Sequence, residues 1–499
     1  MFVKKIYRSE MLSCVLCHEA PCSAACEKAD PARLLRGIWF QDEKATASKL
    51  PEENPCTGCI APCEEACVRP HNVPIQKLIT KLYEEVRPEL EVEAPEDETR
   101  LRTDICGIPL ENPFLLSSSV VASTYDMCAR AFEAGWAGIA FKTICPFEIH
   151  EASPRFSAIS GSDGGIIGFK NIEQLSDHSV QENMEIFRRL KERYPTKFIL
   201  ASIMGRNDEE WEELARLCEE NGADAIELNF SCPNMMEEDL GSAIGQNPDQ
   251  VERFTAAARR GTKIPILAKL TPNVESMNPA AEAAVRGGAD GIAAINTIKS
   301  ITGVNQHTYI SEPAVHGRSA IGGYSGNAVK PIALRFIAEL GQNPLLQGAH
   351  ISGMGGIENY TDAIEFILLG AGSIQVTTAV MQYGYRIIDD LKAGLNYYLA
   401  EKGFQSVKEL EGLGLDSVSE STDVLERDTI LFPHFHHEKC IGCGRCVISC
   451  SDGGHQAITL SKERKPVLNG KKCVGCHLCI LVCPEKAIGP SRRRISRQA

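Results

Sequence analysis

The chain holds 499 residues with a formal net charge of −14 and 21 cysteines. It is too long for one ordinary domain, and its acidic balance argues against nucleic acid or an anionic membrane as the main partner. No apolar run is long enough to span a membrane and the first residues lack the apolar core of a signal peptide, which predicts a cytoplasmic protein.

Residues 1–95 are predicted to form an α-helical module with two groups of four closely spaced cysteines. In a long chain of this kind, clustered cysteines predict metal or cluster binding rather than disulfides. Zinc is the simpler interpretation of each group. Compact pairs, and four such groups in one chain, favour iron–sulfur clusters that carry electrons. The cysteines are Cys14, Cys17, Cys22 and Cys26 in the first group, and Cys56, Cys59, Cys63 and Cys67 in the second.

Residues 100–400 follow an acidic linker at 89–98 and alternate short apolar runs with amphipathic helical stretches. Eight such repeats predict an α/β protein built on a (β/α)8 barrel rather than an open sheet. No G-x-G-x-x-G follows a first strand, so the sequence shows no dinucleotide-binding domain. The predicted strands are 113–119, 138–143, 198–204, 225–232, 265–271, 291–297, 350–356 and 373–378.

Polar residues end many of these strands, where barrels keep their chemistry. Lys142 and Lys269 end two separate strands, which suggests one anionic ligand over the barrel mouth. Glycines and threonines follow strands seven and eight, a common phosphate site in barrels. The combination predicts FMN, with a lysine stabilising the anionic reduced ring. A sugar-phosphate substrate would use the same phosphate site, but the cysteine clusters favour a flavin because one-electron carriers need a centre that splits a two-electron transfer.

The run Asn229-Phe230-Ser231-Cys232-Pro233-Asn234 closes the fourth predicted strand and contains the candidate catalytic residue, Cys232. A lone cysteine is usually a small buried hydrophobic residue. Polar neighbours at Asn229 and Ser231, where a core strand would carry apolar residues, favour the catalytic interpretation. Two long connections, 146–175 and 298–326, are predicted lids or binding loops, with disordered insertions as the alternative.

A connecting segment at 401–432 leads to a predicted ferredoxin-like domain at 433–499. Its two cysteine runs have the spacing of bacterial ferredoxins with two 4Fe-4S clusters, in which the fourth cysteine of each run binds the other cluster. Four-cysteine zinc sites are the alternative. This pattern pairs Cys440, Cys443 and Cys446 with Cys483, and Cys473, Cys476 and Cys479 with Cys450.

Several motifs between residues 100 and 490 resemble the dihydropyrimidine dehydrogenases, both the catalytic subunit of the bacterial NAD-dependent enzymes and the C-terminal half of the eukaryotic ones. The barrel resembles that of the dihydroorotate dehydrogenases. The motifs are Phe141-Lys142-Thr143, Gly168-Phe169-Lys170-Asn171, Asn229-Phe230-Ser231-Cys232-Pro233, Ala268-Lys269-Leu270-Thr271-Pro272-Asn273, Asn296-Thr297, Gly323-Tyr324-Ser325-Gly326 and Ser352-Gly353-Met354-Gly355-Gly356-Ile357.

The resemblance implies reversible reduction of uracil or thymine to the 5,6-dihydropyrimidine. Cys232 would give a proton to one carbon of the double bond while reduced FMN gives hydride to the other. Side-chain amides suit the alternating C=O and N–H edge of a pyrimidine. By the same resemblance, the substrate residues are Asn171, Asn229, Ser231, Asn296 and Thr297, and the FMN residues are Ser117, Ser118, Lys142, Thr143, Lys269, Gly326, Gly355, Gly356, Thr377 and Thr378.

The first 95 residues resemble the N-terminal iron–sulfur domain that this family places on its flavoprotein part. That likeness implies one cluster on Cys14, Cys17, Cys22 and Cys67, and another on Cys26, Cys56, Cys59 and Cys63. Four predicted clusters without an FAD- or NAD-binding motif predict a separate electron donor, either an FAD/NAD(P)H flavoprotein or a ferredoxin. The family resemblance implies a homodimer or heterotetramer. The alternatives are an FMN reductase of another unsaturated heterocycle, a dihydroorotate dehydrogenase-like enzyme, and a non-catalytic electron-transfer subunit.

Overall fold

The computed structural model describes residues 8–11, 13–93, 95–161, 165–235 and 240–496. The chain divides into two compact units, Met1–Val418 and Ser419–Ala499. The first unit contains both the predicted N-terminal module and the barrel. The domain boundaries predicted at 95, 100, 400 and 433 remain predictions.

Eight parallel strands close into a barrel, each paired with the next in chain order and the eighth with the first. This confirms the predicted (β/α)8 architecture. Several strands end before the predicted residue, because the polar residues at their carboxyl ends belong to the loops above the barrel. The barrel strands, numbered one to eight below, are Phe114–Leu116, Gly138–Ile144, Phe198–Ile203, Ala225–Asn229, Ile266–Lys269, Gly291–Ala294, His350–Met354 and Ser373–Val376.

Amphipathic helices surround the barrel and bury their apolar faces against its outer wall. Polar caps fix where they begin: Ser179 and Glu182 form a capping box at the helix that follows the second strand. Trp211 packs against Phe230 and Phe254, linking two helices to the loop after strand four. The helices are Tyr125–Ala134, Val180–Arg193, Asp208–Glu220, Pro248–Gly261, Asn278–Arg286, Lys330–Gln342 and Tyr360–Leu368, with Thr378–Tyr383 and Ile387–Lys402 after strand eight.

The two long connections meet above the barrel mouth as one antiparallel sheet. Its strands, in spatial order, are Ile298–Ser300, Gly322–Ser325, Ile166–Asn171 and Phe156–Ser160. The central pairing joins Tyr324 to Lys170. Part of each connection therefore belongs to one shared sheet over the mouth. At the opposite end of the barrel, the hairpin Thr103–Ile105 and Ile108–Leu110 packs on the core.

The N-terminal module is helical, as predicted, and packs on the last barrel helix. Asp30 caps the helix that Pro31 begins, an arrangement that favours helix initiation. Arg36 pairs with Asp390 and Lys44 with Glu401 across the contact. The helices are Arg8–Met11, Pro21–Ala24, Pro31–Trp39, Glu43–Ala47, Pro62–Glu65 and Ile75–Lys81, the last continuing as a π-helical turn, Leu82–Val86.

The second unit is a small α/β domain. The antiparallel strands Thr429–Phe435 and Ile488–Ser496 join its two ends, and a second pair, Ile458–Leu460 and Pro466–Leu468, lies between them. Its helices are Arg445–Gly453 and Leu478–Leu481. Across the part of the chain that the structure describes, no helix combines the length and apolar character of a membrane span.

Candidate active site

A cavity of about 1160 Å³, counting its solvent-filled mouth, opens at the carboxyl ends of the barrel strands. All ten residues predicted to hold FMN line it, as do Cys232 and the predicted substrate residues Asn171, Asn229, Asn296 and Thr297. The sheet above the mouth contributes Phe156, Phe169 and Tyr324. One cavity thus collects side chains that lie more than 250 residues apart in the chain.

The floor of the cavity carries a buried ion pair that the sequence analysis missed. Lys269 Nζ lies 3.2 Å from Glu227 Oε1 and donates to Ser117 Oγ at 3.4 Å. The side chain of Glu227 has no exposed surface, and it also accepts from Gln375 Nε2 at 3.4 Å. Strand periodicity offered a signal, because Glu227 shares a strand face with Asn229, two residues on. Glu227 and Ser117 therefore hold the Lys269 ammonium in position at the cavity.

A buried hydroxyl and amide network forms the wall next to this pair. Asn229 Nδ2 donates to Thr143 Oγ1 at 2.8 Å, and Asn229 Oδ1 accepts from Ser231 Oγ at 2.8 Å. Asn296 Nδ2 donates to the same Ser231 hydroxyl at 2.7 Å. Ser231 itself is fully buried and is absent from the cavity lining, unlike the other predicted substrate residues. Its hydroxyl lies between the two amides and orients both.

The Cys232 thiol borders the cavity and is 6% exposed. Burial raises its pKa to about 11, against an opposing hydrogen bond with the Asn234 backbone. Glu151 adds to the rise, and Lys142 and Lys269 also oppose it. The thiol therefore keeps its proton near neutral pH. A protonated thiol beside a reacting carbon is a proton donor rather than a nucleophile.

Two carboxylates that the sequence analysis did not single out stand beside Lys142. Its Nζ lies 3.7 Å from Glu151 Oε1 and 3.9 Å from Glu173 Oε1. Arg155 also pairs with Glu173, at 3.1 Å, and burial raises the pKa of the Glu173 carboxyl. Glu173 lines the cavity next to Asn171. These contacts connect the second strand to the sheet that covers the mouth.

The residues present fit a bound flavin mononucleotide. At Gly356, which has a positive φ of 84°, an added Cβ would lie 2.8 Å from the Lys330 backbone nitrogen and 2.9 Å from the Gly326 carbonyl oxygen. Only a glycine lets these two backbone segments pack so closely, and Gly326 and Gly356 both border the cavity. Gln375 Oε1 is buried without a hydrogen-bond partner among the described residues, and Gln375 borders the cavity. A close backbone cradle, two lysines and an unpaired acceptor match a phosphate and a polar ring.

The sixteen clustered cysteines gather into four groups, although no three His, Cys, Asp or Glu side chains among the described residues converge as ligands of a single ion do. Cys56 and Cys63 lie close enough to Cys26 and Cys59 for their thiols to interact electrostatically. The other three groups surround cavities, each lined by four cysteines that belong to two different runs. They are lined by Cys14, Cys17, Cys22 and Cys67; by Cys440, Cys443, Cys446 and Cys483; and by Cys450, Cys473, Cys476 and Cys479.

Comparison with known proteins agrees with this architecture. A family model described as dihydroorotate dehydrogenase matches residues 100–399, which are the whole barrel. The chain belongs to the dihydroorotate dehydrogenase family. As a member of this family it is an oxidoreductase. A second model, described as a 4Fe-4S dicluster domain, matches residues 434–489.

Relatives within the family place the chain near the dihydropyrimidine dehydrogenases. It is 54% identical, over 73% of its length and 89% of the relative's, to the NAD-dependent dihydropyrimidine dehydrogenase subunit PreA of Escherichia coli K12. It is 36% identical to the chloroplastic dihydropyrimidine dehydrogenase (NADP(+)) of Arabidopsis thaliana, over 67% of its own length and 81% of the relative's. It is also 36% identical to the catalytic subunit of dihydroorotate dehydrogenase B (NAD(+)) of Pyrococcus abyssi, over 63% of its own length and 99% of the relative's.

These relatives confirm the resemblance on which the sequence analysis relied. The chain is a catalytic subunit of the dihydropyrimidine or dihydroorotate dehydrogenase type that carries an iron–sulfur domain. The N-terminal 95 residues lie outside both family models.

Proposed function

We propose that this chain reduces the 5,6 double bond of uracil or thymine, reversibly, in the barrel cavity. The observation that carries the proposal is the buried Cys232 thiol, which lines the same cavity as the amides of Asn229 and Asn296. Bound FMN would supply the hydride. Gly326, Gly355, Gly356, Thr377 and Thr378 would hold its phosphate, and Ser117, Ser118, Lys142, Thr143 and Lys269 would hold its ring system.

The side chains of the cavity have separate tasks in this proposal. Asn171, Asn229 and Asn296 bind the alternating C=O and N–H edge of the pyrimidine, because each amide offers a donor and an acceptor. Thr297 adds a hydroxyl at the same wall. The Cys232 thiol then delivers its proton to the ring carbon that does not receive the hydride, so that two hydrogens add across one double bond.

The sheet over the mouth would limit the access of water to the reacting atoms. Phe156, Phe169 and Tyr324 come from three strands of that sheet and face the cavity. A dry site strengthens the interaction of Lys269 with the anionic reduced ring. It also protects the proton of the Cys232 thiol from exchange with bulk base.

Electrons would reach the site from a separate flavoprotein through 4Fe-4S clusters bound by the sixteen cysteines. Four sets of four cysteines support four clusters, and the E. coli relative is named as a subunit of an NAD-dependent enzyme. If the isolated chain oxidised NADH at full rate with uracil and no added protein, the separate donor would be wrong.

Difference spectra of the flavin with added ligand test the substrate class. Uracil and thymine are expected to perturb the flavin band of the oxidised protein at low concentration, and orotate to do so only weakly. Asn296→Ala is the matched variant, because it removes one amide and leaves Cys232 and the lysines in place. Tight binding of orotate, with no response to uracil, would move the proposal to dihydroorotate chemistry.

A further inference from the structure

The N-terminal module touches the barrel at one of its own cysteine sites. The cavity of Cys14, Cys17, Cys22 and Cys67 is also lined by Arg36, from the module, and by Arg386, from the barrel. Arg36 is bound to the barrel in turn: its Nη2 donates to the Arg386 carbonyl at 2.7 Å, and its Nε to Asp390 at 3.1 Å. The cavity is therefore bordered by one arginine of the module, which is paired with Asp390, and by one arginine of the barrel.

Arg386 holds the loop that carries two of these cysteines. Its Nη1 donates to the carbonyl of Cys17 at 3.1 Å, and its Nη2 donates to the carbonyl of Leu16. Leu16 has a φ of 50°, in the left-handed region that a leucine rarely adopts. An unusual backbone conformation in the middle of the Cys14–Cys17 loop is thus fixed by a barrel side chain.

The other cysteine site of the module is built differently. There the Cys56–Cys59 loop is held by Gln76, whose Nε2 donates to the carbonyls of Cys56 and Cys59 at 3.2 and 2.9 Å. Gln76 is neutral, and its backbone nitrogen donates to the Glu64 carboxylate at 2.8 Å. Glu64 follows Cys63 directly in the chain, so a carboxylate rather than a guanidinium stands beside this site.

We propose that Arg386 is a positioning residue for the Cys14, Cys17, Cys22 and Cys67 site, and that its charge raises the reduction potential of the cluster bound there above that of its neighbour. Reduction adds one negative charge to a cluster whose thiolates are already negative, so nearby cations favour the reduced form. The barrel thereby selects which site of the module accepts electrons more readily. The inference rests on the proposed iron–sulfur function.

Three variants of the full-length, anaerobically purified protein test this inference. Arg386→Gln replaces the guanidinium that holds the Cys14–Cys17 loop by a neutral amide, the group with which Gln76 holds the Cys56–Cys59 loop. Arg386→Lys keeps the charge but loses the planar fork that reaches two carbonyls. Arg188→Gln is the control, because Arg188 is exposed and pairs with Glu185 on a distant helix. A Cys17→Ser variant identifies which signal belongs to this site.

Redox titration followed by electron paramagnetic resonance is the measurement, with iron per chain determined on the same samples. We expect about 16 iron atoms in the wild type and in Arg386→Gln, four for each of four sites. In Arg386→Gln the reduced-to-oxidised ratio of one cluster should fall about tenfold at a fixed potential, a shift of 59 mV for one electron. The affected signal should be the one that Cys17→Ser alters, with a smaller shift in Arg386→Lys and none in Arg188→Gln.

Two results would overturn the inference, and they differ in what else they affect. Full iron content with unmoved potentials in Arg386→Gln would leave Arg386 as a simple interface contact. A wild type with about eight iron atoms and none in the N-terminal module would remove the cluster and the inference together. Pyrimidine reduction by the chemically reduced barrel would still proceed in either case, which separates failure of this inference from failure of the barrel chemistry.

Discussion

Replacing Glu227 by glutamine removes the countercharge of a lysine buried inside the barrel. The side chain of Lys269 is 3% exposed and that of Glu227 is fully buried, so water cannot compensate for the loss. Leaving one charge of a buried pair without its partner costs about 3–5 kcal/mol. The barrel spans residues 100–399, and a domain of that length has an unfolding entropy of about 0.6 kcal/mol/K at its melting temperature. The expected fall in its melting temperature is therefore about 5–8 °C.

Scanning calorimetry of the flavin-free protein at one scan rate measures this fall without the ligand's own contribution. The double variant Glu227→Gln/Lys269→Met removes both charges and is expected to recover most of the loss. Arg216→Gln serves as the control, since Arg216 and Glu220 form an exposed pair worth less than about 1 kcal/mol. An unchanged melting temperature in Glu227→Gln, or no recovery in the double variant, would refute the reasoning.

Three further changes have defined outcomes. Cys232→Ala should lower turnover with uracil about 10²–10⁴-fold, as measured by assays of the reduced product, because the proton donor is lost. The flavin and iron content per chain should stay unchanged. Ser231→Ala removes the hydroxyl that hydrogen-bonds both Asn229 and Asn296. Uracil binding should weaken about tenfold, which corresponds to a loss of roughly 1–1.5 kcal/mol in binding free energy. Flavin difference spectra with added uracil measure the affinity. Burial raises the pKa of the Glu43 carboxyl from 4.5 to about 7. The stability from Glu43, about 3 kcal/mol, is therefore complete below pH 4.5 and lost as pH rises through 7. Glu43→Gln should make the decline in melting temperature between pH 5 and 8 smaller, with Asp42 and Asp390, whose pKa values burial also raises, accounting for the remainder. An equal decline in both proteins would contradict this.

The barrel was predictable because its signal is local and repeated. Eight apolar runs, each followed by an amphipathic helix, admit few topologies. Polar residues at the strand ends then had to meet over one mouth, so Lys142, Lys269 and Thr377 could be assigned to one cavity. Ser231 was assigned to the substrate, yet the structure buries it behind Asn229, because a residue just past a strand end no longer follows the strand's alternation.

Contacts between distant elements were beyond reach of the sequence. Arg36 and Asp390 are 354 residues apart, and no local pattern links a short helix of the module to the last barrel helix. The same holds for the covering sheet, where Tyr324 pairs with Lys170 although both lie in segments read as loops. Such pairings depend on which surfaces fit together in three dimensions, and a single sequence carries no direct record of that fit.

Rapid anaerobic mixing of the reduced protein with uracil tests the central claim most directly. The protein is reduced with dithionite, freed of excess reductant, and followed by flavin absorbance. We expect the oxidised flavin band to return on mixing, with dihydrouracil formed in proportion, and the return to slow about 10²–10⁴-fold in Cys232→Ala. A reduced flavin that ignores both uracil and thymine, or a Cys232→Ala variant as fast as the wild type, would contradict the assignment of this cavity to pyrimidine reduction.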